Sequence, residues 1–173
     1  MAAKVVKFLT AINIRMDPRV TTTADGLEKQ FKLSMECYEG MTAAGDALSQ
    51  IGRLRKQLGA AKAKFPDLGA AINAVDEKWA ALERAADGGG RRGGKQPGST
   101  NLRGTASELG RLLAILQGAD ATPTSQATAA VAEAKKELDG LLTRWVETKQ
   151  KDLAELNVKL KAASLPAIIP SEK

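Results

Sequence analysis

The chain has 173 residues, 43% of them apolar, six aromatic residues and a formal net charge of +6. With no histidine and one cysteine, Cys37, it lacks the commonest general base and zinc ligand, an internal disulfide and any multi-cysteine metal site. No apolar run reaches the length that spans a bilayer, and the first residues lack the apolar core and cleavage site of a signal peptide. Alanine and leucine dominate the apolar set, and both lose little side-chain freedom in a helix, so the composition predicts an all-α protein.

In chain order, Val5 to Met16 alternates as a strand does, and Asp17-Pro18 stops the pattern. A single strand must pair with something outside the rest of the chain or remain loose. Thr21, Thr22 and Thr23 then offer N-cap hydroxyls, with Asp25 in the first turn. Leu27, Phe31, Met35, Tyr38, Met41, Gly45, Leu48, Ile51 and Leu58 follow at helical spacing and predict one buried stripe on a helix reaching about Lys64. Three glycines, Gly45, Gly52 and Gly59, recur every seven residues near that stripe, as sites of close helix approach or as points that soften the helix.

Phe65-Pro66-Asp67 breaks this helix and starts a second, whose stripe is Leu68, Ile72, Val75, Trp79, Leu82 and Ala86. Residues 87–100 are glycine-rich and read as a flexible connection. A third helix buries Leu102, Ala106, Leu109, Leu112, Leu113 and Leu116 and ends at Gly118. Thr122 before Pro123 reads as the N-cap of a fourth, with Val131, Ala134, Leu138, Leu141, Leu142, Trp145, Leu153, Leu156, Leu160 and Ala163 on one face. Two long and two short amphipathic helices predict an elongated antiparallel four-helix bundle, the short pair covering the long pair. The organisation expected is an extended segment over residues 1–20, a helical body over 21–165 with its loop at 87–100, and a tail over 166–173.

Three segments together resemble the C-terminal region of bacterial sortilin-like β-propeller proteins with Asp-box repeats, often labelled glycosyl hydrolases or sialidases. They are Arg15-Met16-Asp17-Pro18-Arg19-Val20, the stretch Leu27 to Met41, and Leu112 to Gln126. The resemblance covers about Arg15 to Leu165. It implies a helical accessory domain behind a propeller and a small β-sandwich, with residues up to about Met16 standing for the sandwich's last strand. It also implies a secreted or periplasmic parent, although this chain has no signal peptide of its own. In that family any sialidase-type chemistry belongs to the propeller, and no catalytic residue maps onto these positions. The reading is a non-catalytic interaction module whose partner is a propeller domain or a second copy of the chain, with no membrane partner, cofactor or metal.

Two other functions are weighed against it. A small promiscuous hydrolase would use Cys37, with Glu39 beside it, or a metal held by the helical carboxylate pairs Glu36 with Glu39, Glu133 with Glu137, and Asp152 with Glu155. It would act in a crevice opened by Gly45, Gly52 and Ala134. Cys37 has no histidine to activate it and reads as a buried structural thiol, while Glu133, Lys135, Lys136 and Glu137 read as a salt-bridged outer face. A nucleic-acid binder would use the basic run from Arg53 to Lys64 with Arg91, Arg92 and Lys95. Single-strand binding wants aromatic platforms among the charges, and only Phe65 and Trp79 are near, so the run reads as a solvated surface. The GGGRRGG loop lacks the strand before it and the lysine followed by serine or threonine that a phosphate loop requires.

Overall fold

The computed structural model describes residues 11–13, 15–83 and 101–170. Among these the chain is all-helical, with four α-helices and no strand. They are α1 (Ala24–Lys64), α2 (Gly69–Glu83), α3 (Leu102–Leu116) and α4 (Ser125–Ala162), with a short 3-10 turn, Pro66–Leu68, between α1 and α2. The expected glycine-rich connection at 87–100 and most of the expected strand lie outside the described residues. Residues 11–13 and 15–20 form no strand and are largely exposed.

The helix ends follow capping chemistry. Thr23 caps α1 by accepting from the Gly26 N–H at 3.1 Å, and Asp25 sits in the positive first turn. Asn101 caps α3, accepting from the Gly104 N–H at 2.9 Å. The cap of α4 is Thr124, accepting from the Ala127 N–H at 3.1 Å, rather than Thr122. Pro123 therefore precedes the cap instead of following it, and Thr122 packs on Gly26. At the far end of α4, Ser164 takes the left-handed conformation (φ 60°) and Leu165 N–H donates to Leu160 O at 2.9 Å. That turn folds the tail back, where Ile168 exchanges two hydrogen bonds with the Asn157 side chain at 2.8 and 2.9 Å.

Long-range pairings give the helix directions. Lys135 Nζ donates to Glu36 Oε2 at 3.0 Å and Lys149 Nζ to Gln50 Oε1 at 3.4 Å. The separation along the chain is the same in both pairs, so α4 runs parallel to α1. Against α3 the order reverses: Gln30 donates to Leu116 O, Gly40 lies against Leu109, and Gly110 against Met41. α3 thus runs antiparallel to α1. Arg55 of α1 reaches Asp76 and Glu83 of α2, and Glu83 also meets Arg103 of α3. The two short helices therefore follow one another along α1. The expectation of antiparallel packing holds for α1 with α3 and fails for α1 with α4.

The core runs the length of the helices. α2 buries Ile72, Val75, Trp79 and Leu82, and α3 buries Leu102, Leu109, Leu112 and Leu116, close to the expected stripes, with Thr105 added and Ala106 and Leu113 half-buried. α4 buries Val131, Ala134, Leu138, Leu141, Trp145, Leu153, Leu156 and Leu160, whereas Ala163 is exposed and Leu142 half-buried. The first half of α1 departs from expectation. Phe31, Met35 and Tyr38 are exposed, as is Gly45, and the buried residues are Ser34, Cys37, Ala44 and Ala47, followed by Ile51, Leu54 and Leu58. The small side chains face inward because α3 and α4 both come close here. A Cβ on Gly40 would stand 2.7 Å from Leu109 and 3.2 Å from Leu138. Met16 is also exposed.

Candidate functional site

Cys37 sits on the inner face of α1 with no exposed surface. Burial pushes its thiol above the usual range, the neighbouring Glu36 carboxylate adds to that, and Lys135 opposes it. Such a thiol stays protonated near neutral pH and is a poor nucleophile. Glu39 lies on the exposed outer side of the same helix, so the two candidates are not brought together.

The expected carboxylate pairs are separated in the same way. Glu36 is engaged with Lys135, and Glu39 points to solvent. Glu133 is exposed and Glu137 half-buried. Asp152 accepts from Lys78 Nζ at 2.7 Å, joining α4 to α2, while Glu155 is exposed beside it. Lys135 was expected to pair along its own helix and instead bridges to α1. No three carboxylate or thiol groups converge among the described residues. Gly45 is exposed and Ala134 buried, so the supposed crevice of Gly45, Gly52 and Ala134 does not form.

Shallow clefts among the described residues include two. One, of about 150 Å³, lies between α2 and α4, lined by Ala71, Ala74 and Val75 and closed by the Lys78–Asp152 pair. The other, of about 210 Å³, lies where the folded-back tail meets the ends of α1 and α4, lined by Gln57, Ala61, Phe65, Leu160 and Ile168. Neither contains the Cys37 thiol.

The basic run is partly neutralised. Arg55 donates from Nε to Asp76 at 2.7 Å and from Nη1 to Glu83 at 2.7 Å. Its already high pKa is raised further by the Asp76 hydrogen bond. Glu83 also accepts from Arg103 at 3.1 Å; burial pushes its pKa up, but the hydrogen bonds and charges of Arg55 and Arg103 outweigh this and hold it below the usual range. This four-residue cluster was missed from the sequence, where its one signal is that Asp76 and Glu83 lie seven apart on α2. Arg53, Lys56, Lys62 and Lys64 are exposed, and Arg91, Arg92 and Lys95 lie outside the described residues.

The tryptophans meet inside the core with ring planes at 75°. The Trp79 indole N–H has no hydrogen-bond partner among the described residues, although a buried indole usually finds one. Lys149 Nζ lies 5.4 Å from the Trp145 ring centre, a cation–π distance. No helix is long and apolar enough to cross a membrane among the described residues. No family model, curated protein or solved structure matches this chain.

Proposed function

We propose that this chain is a non-catalytic helical interaction module, whose four helices form one elongated bundle and whose N-terminal segment engages a β-rich neighbour. The observation that carries the reading is the state of the chain just before α1. Ile12 and Met16 are 78% and 63% exposed, although both are large and apolar, and residues 11–13 and 15–19 are all exposed. α1 begins with its own threonine cap, so the helical body does not need that segment for its first turn. The resemblance to the helical region behind sortilin-like propellers supports the same reading, since there the corresponding segment completes a sandwich.

Neither alternative gains an observation of its own. A protonated, buried Cys37 away from Glu39 gives a hydrolase no activated nucleophile. Arg55 is spent on two carboxylates, which weakens the basic run as a phosphate-binding surface.

The test is a calorimetric titration with a purified propeller-plus-sandwich fragment of a sortilin-like Asp-box protein. Saturable binding that is lost on deleting residues 1–16, or with Ile12→Asp and Met16→Asp, is expected. No binding, or binding indifferent to those changes, overturns the reading. So does ester or glycoside turnover that falls with Cys37→Ser.

A further inference from the structure

The outer face of α1 is built in two unlike halves. In the first, Phe31, Met35 and Tyr38 occupy successive turns at steps of four and three, all exposed, with Phe31 at 64% and Tyr38 at 57%. In the second, the same face continues through Gly45, Gly52, Gly59 and Ala60, with Arg53 and Lys56 between them. The charges divide likewise. Within residues 24–45, Asp25 and Glu28 are paired with Lys29 and Lys32 and Glu36 with Lys135, which leaves Glu39 exposed, while residues 46–64 present the exposed Arg53, Lys56, Lys62 and Lys64.

The three glycines make room for no neighbour among the described residues. A Cβ on Gly45, Gly52 or Gly59 would meet nothing within 4 Å, unlike one on Gly40, which would crowd Leu109. Each lowers helix stability relative to alanine and permits no close contact among the described residues. Their seven-residue spacing is that of a helix-to-helix seam.

We propose that this face is an interface between two copies of the chain, with α1 packed antiparallel on the α1 of its partner about a two-fold axis near Gly45. In that register Phe31 stands opposite Ala60, Met35 opposite Lys56, and Tyr38 opposite Gly52 and Arg53. Phe31 and Tyr38 meet the small Ala60 and Gly52, as close packing of two helices requires, and Met35 lies along the Lys56 stem. The exposed Glu39 of each helix meets Arg53 of the other, and the Tyr38 ring receives the same guanidinium. A parallel pair would set like charges together and large side chains against large. The contact is isologous, so it closes at two copies. It uses a different face from the segment assigned above to a β-rich partner and does not depend on that assignment.

The test is sedimentation of the full chain at micromolar concentration. A mass of two copies is expected, with Met35→Glu and Tyr38→Glu together raising the dissociation constant at least about a hundredfold while the helical circular dichroism is kept. Gly52→Gln is a second probe. Within a single chain it raises the melting temperature and leaves the mass alone; across the proposed seam it dissociates the pair. Mixing Phe31→Cys chains with Ala60→Cys chains should give the mixed disulfide in preference to either self-pair. A monomeric wild-type chain, a dimer untouched by these changes, a Phe31→Cys self-pair, or dissociation caused only by deleting residues 1–16 overturns the proposal. That last result would leave the β-rich partner assignment to be judged by its own titration.

Discussion

Trp79 stands edge-on to Trp145, ring centres 5.7 Å apart, and the contact joins α2 to α4. The Trp79 indole N–H finds no acceptor among the described residues, so its contribution is read mainly from the area it buries and its contact with Trp145. Trp79→Phe should therefore cost well under the ~3–5 kcal/mol expected for Trp79→Ala, where a cavity opens in the core. Urea denaturation of the two variants checks this. Equal losses would mean that the N–H is satisfied after all.

Gly40 of α1 and Gly140 of α4 should respond oppositely to added side chains. Gly140 faces open space on α4, so Gly140→Ala should stabilise by about 0.5–1 kcal/mol through helix propensity. At Gly40 a side chain would enter the space held by Leu109 and Leu138, and Gly40→Leu should destabilise by about 1–3 kcal/mol. Melting temperatures that rise in both variants would contradict the close approach of α1 to α3 and α4.

The Glu83 carboxylate supplies an acid-sensitive link. Because its folded pKa is lowered, with Arg55 and Arg103 outweighing burial, its stabilising effect is complete above the ordinary glutamate value of about 4.3. It is lost as pH falls through the lower, folded value. Glu83→Gln should weaken the protein at neutral pH and flatten its loss of stability below about pH 4. Denaturant midpoints measured from neutral pH downward test the sign. An unchanged acid limb would show that other carboxylates govern it.

Cys37 should report unfolding. Fully buried and with a raised pKa, it should react with iodoacetamide far more slowly than an exposed thiol, and accelerate when denaturant opens the core. Mass spectrometry of the alkylated chain follows this directly. Fast labelling of the native protein would place the thiol outside the core.

The helices that the sequence revealed best were those with one unambiguous apolar row. Along α2, Ile72, Val75, Trp79 and Leu82 are both the largest apolar residues and the buried ones. Along the first half of α1 two rows compete, and size misleads. Phe31, Met35 and Tyr38 look like the core, yet Cys37, Ala44 and Ala47 occupy it because only small side chains fit where α3 and α4 approach. The parallel course of α1 and α4 was also hidden, because periodicity carries no direction. The helix lengths held a clue: α2 and α3 have 15 residues each, and laid end to end they span about 45 Å of the roughly 60 Å of α1. Of the candidate site, the burial of Cys37 was legible; its separation from Glu39 follows from facing, and the Arg55–Glu83–Arg103 cluster from tertiary contact alone.

The succession of α2 and α3 along one side of α1 makes the chain two interleaved fragments. Residues 11–83 supply α1 and α2, residues 101–170 supply α3 and α4, and each fragment exposes, when alone, the apolar rows that the other covers. α1 is a template for α3, and α4 a template for α2, with Arg103 clasping Glu83 across the division. A chain severed between these fragments should consequently behave as a split protein, its pieces weakly helical apart and regaining full ellipticity on mixing. Pieces that fold fully on their own would show two independent domains instead.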